Sequence, residues 1–254
     1  MVRYSVLGSG SCGNSYIFTA GSSSVLIDAG YSWRQICLRM QAGGFDADSV
    51  LALFLTHLHP DHANAAGIFA RKTAKPVYVS RKCRDYAVSE YLALNIPENC
   101  SKVMEPSSVV SEGPFGVSCF YTSHDSAGSC GYTISVEGKR ITIITDTGKY
   151  TPEMVEQARA ADLLFLESNY DVNMLRTGPY PIYLQRRVAG ERGHLSNDQA
   201  RSLLLDAGYD VSGKPVYLVH ISANNNTPDT VAQAMGGFNA FVCERGGCYC
   251  GQIS

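Results

Sequence analysis

The alternation of apolar and polar positions opens on three short strand-like runs. Residues 3–7, 15–19 and 24–27 are rich in β-branched and aromatic side chains, and Gly/Ser turns separate them. Residues 33–40 have the spacing of a short helix, which Gly43 and Gly44 stop. The run 50–55 is wholly apolar, as a buried strand should be. It passes straight into Thr56-His57-Leu58-His59-Pro60-Asp61-His62. The pattern then predicts a helix over 61–73, with Ala65, Ile68 and Phe69 on its inward face.

Further strands are expected at 115–122, 131–136, 141–145, 162–166 and 215–219. Helices are expected from 151–152 onward, over 180–188 and over 196–206. Such a mixture predicts sheets covered by helices. Most of these later strands lead to an acidic residue or a histidine at the C-terminal tip, where open α/β sheets place ligands.

Composition narrows the class. The chain has 254 residues, 45% hydrophobic and 17% charged, which excludes a disordered polymer and fits a single domain over 1–254. Its net charge is −2, so any polyanion must be met by local patches and bound cations. No stretch approaches the roughly 20 apolar residues of a membrane span, and the opening apolar run is too short for a signal peptide. Nine scattered cysteines, an odd number, argue against a disulfide framework and for a cytoplasmic setting. Cys243, Cys248 and Cys250 lack a fourth ligand for a structural metal and read as buried or reduced thiols.

The chemistry lies in six histidines: His57, His59, His62, His124, His194 and His220. Three fall within six residues. In an extended segment His57 and His59 point to one side and can share a cation. Pro60 then turns the chain into a helix whose start presents Asp61 and His62 to a second cation. Imidazole and carboxylate suit zinc, manganese or iron. Two divalent ions about 3.5–4 Å apart can clamp the attacking and leaving oxygens of a displacement. His124, Asp146 and His220 end strands or follow them and can complete both shells, with Asp146 able to bridge.

Gly8, Gly10 and Gly13 match a dinucleotide-binding fingerprint in form, but strand and turn follow where a helix is required. A tight loop beside the metal site is the better reading. Two basic groups stand out: Arg71, Lys72, Lys75, Arg81, Lys82 and Arg84, and then Arg176, Arg186, Arg187 and Arg192 near Tyr180 and Tyr183. The first reads as solvated surface. The second lies between Glu167 and His194, so it should overhang the cleft, where arginines can track phosphates and tyrosines can stack on bases.

These pieces, in this order, resemble the metallo-β-lactamase superfamily along the whole chain. Asp28 matches its first acidic motif, His57 to His62 its HxHxDH signature, and His124, Asp146 and His220 the motifs that follow. The resemblance implies a four-layer αβ/βα sandwich. It also implies one ion on His57, His59 and His124, a second on Asp61, His62 and His220, and Asp146 between them. A narrower likeness, to the YycJ/WalJ family, is carried by Ser9-Gly-Ser-x-Gly-Asn14, Ser123-His-Asp125, Thr145-Asp-Thr-Gly148, Glu167-Ser-Asn-x-Asp-Val-Asn-Met-Leu175, Gly193-His-Leu-Ser-Asn197 and His220-Ile-Ser-x-x-Asn-Asn226. It implies a cytoplasmic bacterial 5′-to-3′ exonuclease of double-stranded DNA, linked to mismatch repair.

In the related ribonuclease Z branch, a Glu at the position of Glu167 orients a His at that of His194. That likeness implies that His194 protonates the departing oxygen, while Asp61 can accept the nucleophile's proton. Asn169, Arg176, Arg186, Arg187, Ser222 and Asn225 are the expected substrate contacts. Three alternatives compete: a hydrolase of a small ester or thioester, an RNA-processing nuclease, and a non-catalytic binding protein. The Glu167/His194 pair weighs against a thioester, since a thiolate leaves without an acid. No long inserted arm is visible to grip transfer RNA. The complete ligand set opposes the non-catalytic reading.

Overall fold

The computed structural model describes residues 1–90, 94–106 and 108–254. Its strands are β1 (Val2–Gly8), β2 (Ser15–Ala20), β3 (Ser23–Ile27), β4 (Val50–Phe54), β5 (Val77–Ser80), β6 (Ser101–Met104), β7 (Val109–Glu112), β8 (Phe115–Tyr121), β9 (Cys130–Val136), β10 (Lys139–Ile144), β11 (Leu163–Glu167), β12 (Val216–Val219), β13 (Ala240–Val242) and β14 (Tyr249–Ile253). Its helices are α1 (Trp33–Ala42), α2 (Pro60–Ala63), α3 (Ala66–Thr73), α4 (Arg81–Ser89), α5 (Pro152–Ala160), α6 (Val172–Thr177), α7 (Ile182–Val188), α8 (Asn197–Asp206), α9 (Tyr209–Ser212) and α10 (Pro228–Ala234).

The strands form two seven-stranded sheets, ordered β14-β1-β2-β3-β4-β5-β6 and β13-β12-β11-β10-β9-β8-β7. Alternation along each strand sends one set of side chains between the sheets and the other outward. Tyr4, Phe18, Phe54, Tyr132 and Phe165 fill the central layer. Tyr4 and Phe18 meet Phe165 edge-on, with centroids 5.8 and 5.7 Å apart. Each such pair adds about 0.5–1.5 kcal/mol beyond its buried area. Outside the first sheet pack Trp33, Ile36 and Met40 of α1 and Phe69 of α3. Outside the second pack Met154 of α5 and Leu203 and Leu204 of α8. The result is the αβ/βα sandwich. Among the described residues no helix is long and apolar enough to cross a membrane.

Strand direction positions the site. β3 and β4 are parallel, with Ile27 opposite Phe54, so the residues after both strands emerge together. β10, β11 and β12 are parallel too, and Leu166 lies opposite both Ile144 and Leu218. The tips of these three strands are therefore level. β8 and β10 each pair antiparallel with β9, so β8 ends at the same edge.

The single helix expected over 61–73 is instead two. The loop after β3 draws two backbone groups away from the helical ladder: Ala29 N donates to His62 O at 2.7 Å, and Ala65 N donates to Ala29 O at 2.8 Å. Asn14 N donates to Asp61 O at 2.8 Å. The break shifts the inward face of α3 to Ala66, Gly67, Phe69 and Ala70. Ile68, expected inside, is 39% exposed. All nine cysteines are free; of the C-terminal three, Cys243 is buried, while Cys248 and Cys250 are exposed, just before and within the edge strand β14.

Candidate metal centre

Asp28 follows β3 with φ 60°, in the left-handed region that non-glycine residues rarely occupy. Asp146 and His220 leave β10 and β12 with φ 55° and 57°. Such turns cost about 1–3 kcal/mol each and persist where the surroundings enforce them. Here they turn Asp146 and His220 into one centre and Asp28 towards His62, which serves it.

The first half of the site hangs on Asp28, which is fully buried. Its carboxylate accepts from Thr56 N at 2.8 Å and from His62 Nδ1 at 2.7 Å. His62 Nε2 is thereby turned inward. Thr56 Oγ1 lies 3.0 Å from His57 Nδ1, which turns His57 Nε2 the same way. His59, at the N-cap of α2, places Nδ1 3.3 Å from His124 Nε2. The outer nitrogen of His59 lies 3.3 Å from Asp125 Oδ1, and Asp125 accepts from Arg187 Nε at 2.7 Å.

The second half supplies one residue at a time. His124 donates Nδ1–H to Gly193 O at 3.0 Å, leaving Nε2 for the cluster. Asp146 accepts from Thr145 Oγ1 at 2.6 Å. One of its oxygens is 3.3 Å from His62 Nε2; the other is 3.7 Å from His124 Nε2 and 3.6 Å from His220 Nε2. His220 is pinned by its backbone N–H to Ser9 Oγ at 2.6 Å, and its Nδ1 lies 3.0 Å from Glu167 Oε1. Asp61 Oδ2 stands 3.7 Å from both His62 Nε2 and His220 Nε2.

Among the described residues, four overlapping groups have ligand atoms within 4.8 Å of one another: His57/His59/His124, His57/His62/Asp146, Asp61/His62/His220 and Asp146/Glu167/His194/His220. The Nε2 atoms of His57 and His220 are buried without a hydrogen-bond partner among the described residues. A buried polar atom left so is costly unless something else occupies its lone pair. The donor set and these two orphan nitrogens fit a dinuclear divalent centre.

The electrostatics agree. Burial, then His62, holds His57 well below the ordinary histidine range, and burial also lowers His124. Neutral imidazoles are what a cation requires. Burial alone would raise Asp146, but His220, His62, His57 and His124 outweigh it and hold its carboxyl well below the usual range. Burial would lower His62, yet Asp146 and Asp28 push it up to about 9. The cluster thus holds protons that a bound cation would release.

Glu167, fully buried, accepts from His194 Nδ1 at 2.7 Å and from the backbone of Thr147 and Leu195 at 3.1 and 3.3 Å. Burial pushes its carboxyl up, but His194 and His220 more than offset this. His194 is held by a fixed anion, and its side chain is 19% exposed, into a cleft of about 240 Å³. The segment between Glu167 and His194 forms one wall, through Tyr180, Leu184, Arg187 and Val188.

Of the expected substrate contacts, Asn169, Arg187, Ser222 and Asn225 line this cleft. Asn169 Nδ2 also donates to His220 O at 2.8 Å, which clamps the turn after β12. Arg187 is engaged with Asp125. Arg176 and Arg186 are exposed and are not among the lining residues. Sequence alone assigns no role to Asn14 or Asp125. Asn14 Nδ2 is 2.9 Å from His62 Nε2, and its Oδ1 accepts from Gly10 N at 2.8 Å. The glycine fingerprint is this tight loop, held against the centre. Its one usable sign was an Asn placed just after the last glycine.

Residues 23–221 match the family described as "Beta-lactamase superfamily domain". The chain is 33% identical over 225 residues to "Exodeoxyribonuclease YycJ" of Bacillus anthracis, covering 89% of this chain and 84% of the relative. It is 30% identical over 235 residues to "Exodeoxyribonuclease WalJ" of Streptococcus pneumoniae, covering 92% and 86%. Among solved structures, the metallo-β-lactamase fold protein YhfI of Bacillus subtilis superposes with a TM-score of 0.73 at 18% identity, covering 98% of this chain and 99% of that one. The chain belongs to the metallo-β-lactamase superfamily, in the branch of YycJ and WalJ.

Proposed function

We propose that this chain is a dinuclear phosphodiesterase that shortens double-stranded DNA from its ends in the 5′-to-3′ direction. The observation that carries the reading is the 2.7 Å contact between Glu167 and His194 at the rim of the metal cluster, with His194 open to the cleft. A departing sugar alkoxide needs a proton; a thiolate does not. The names of the relatives point the same way. In this reading residues 1–254 act as one domain, in a reducing cytoplasm that keeps its cysteines as thiols.

His57, His59 and His124 are assigned to one ion, Asp61, His62 and His220 to the other, and Asp146 to both. When bound, a pair of zinc or manganese ions supplies a water of near-neutral pKa and positive charge beside the phosphoryl oxygens. The chain does the rest. Asp61, 25% exposed, accepts the proton of the attacking water. Glu167 accepts the Nδ1–H hydrogen bond of His194 and orients the ring, so that a protonated Nε2 donates to the leaving oxygen. Asn169 holds His220 in place, and Arg187 and Asn225 border the path of the strand.

The test is hydrolysis of end-labelled duplex DNA, single-stranded DNA and RNA with added Zn²⁺ or Mn²⁺. Progressive shortening of the duplex from its 5′ ends is expected. Turnover of a small ester with every polynucleotide left intact would reject the nuclease reading and keep the metal hydrolase.

A further inference from the structure

Beside the catalytic cleft lies a second, polar cleft of about 260 Å³, lined by Lys82, Tyr121, Ser123, His124, Ser126 and Arg192 among others. His124 and the segment 191–194 separate the two. Arg192 and His194 are two residues apart, so their Cα atoms are at most about 7 Å apart. His194 lines the catalytic cleft and Arg192 lines the second.

The second cleft is rigidly built. Ser80 Oγ, at the N-cap of α4, donates to Gly128 O at 2.6 Å. Gly128 sits at φ +74°, and a Cβ there would fall 2.4 Å from Cys83 N, so the loop after β8 is pressed against the start of α4. The other side of that loop is fixed by Ser123 Oγ to Glu191 O at 2.6 Å and by Arg192 Nε to His124 O at 3.0 Å. Lys82 and Arg192 are thus held on the two flanks of one loop by opposite halves of the fold.

Both cations are available. Lys82 Nζ rests 4.2 Å from the Tyr121 ring centroid. Arg81 is paired with Glu105 and Arg187 with Asp125, whereas among the described residues neither Lys82 nor Arg192 enters an ion pair. Two cations lining one cleft with neighbouring hydroxyls suit the phosphates of a nucleic-acid backbone.

We propose that this cleft is a phosphate-binding groove in which Lys82 and Arg192 grip the strand beside the phosphodiester at the metal centre. The inference rests on the nuclease reading and extends it to residues outside the catalytic cleft.

The test is fluorescence anisotropy of a labelled duplex with phosphorothioate ends, bound to the metal-loaded protein across a salt series. Lys82→Gln and Arg192→Gln are each expected to weaken binding several-fold. Each should also lower the slope of log affinity against log salt by about 1, and the double variant by about 2. Lys82→Arg and Arg192→Lys should keep the slope, which loss of a merely structural contact to His124 would not predict. Arg81→Gln, outside the groove, should bind as the wild type does. If wild-type protein shortens duplex DNA while the double variant keeps wild-type affinity and slope, the groove is refuted and the nuclease reading stands. If the wild type neither binds nor cuts any polynucleotide, the nuclease reading fails and the groove falls with it.

Discussion

The two halves of the molecule deliver their site residues in opposite ways. In the first, the loop after β4 and the start of α2 carry His57, His59, Asp61 and His62 within six residues. In the second, His124, Asp146, Glu167, His194 and His220 arrive from five places along the chain. The first arrangement needs only local geometry and a single buried anchor, Asp28. The second exists because parallel register levels the tips of β10, β11 and β12 and because left-handed turns bend Asp146 and His220 inward. A contiguous motif can therefore be read, and can be lost, as a unit. A dispersed set fails one residue at a time, so its members can be separated by mutation.

The largest effect should come from the residue that joins the halves. Asp146→Ala removes the carboxylate between both ligand groups and should cut turnover by about three orders of magnitude, measured as initial rate on a duplex end. His194→Ala should slow turnover by about 10²-fold with KM little changed, because it removes a proton donor and leaves the ligands intact. Asp28→Asn tests the first half: its touch on the centre is through His62, so metal affinity should drop about 10–100-fold in a chelator competition. The smallest effect is a matched pair. Ser32 and Ser196 both form capping boxes, at α1 and α8. Replacement of either by Ala should lower stability by about 1 kcal/mol in urea unfolding. Only Ser196→Ala, two residues from His194, should also slow catalysis; equal loss of activity in both would erase the distinction between the halves.

Legibility followed the same division. The HxHxDH segment stood out from its residue types alone, and the long buried strands around it from their apolar runs. Short or edge strands did not: β6, β7 and β14 mix polar and apolar positions because one face or edge meets solvent, and β13, though apolar, is only three residues long. α4 went unread because Arg81, Lys82 and Arg84 hide its buried Cys83 and Ala87. The break between α2 and α3 lay beyond reach, since it depends on hydrogen bonds to residues 14 and 29, distant in sequence. Left-handed Asp28, Asp146 and His220 carry no local sign. Arg187 lines the cleft, but its engagement with Asp125, and so with His59, is a tertiary fact.

The central claim is that both halves together hold two ions while Glu167 and His194 stand outside the shells. The competing arrangement is real, since Asp146, Glu167, His194 and His220 also converge closely enough to hold a cation. Metal content per chain, measured by mass spectrometry after dialysis, tests this directly. Two ions are predicted in the wild type and in His194→Ala, and fewer than two in Asp146→Ala. Loss of an ion on removing His194, or a single ion in the wild type, would contradict it.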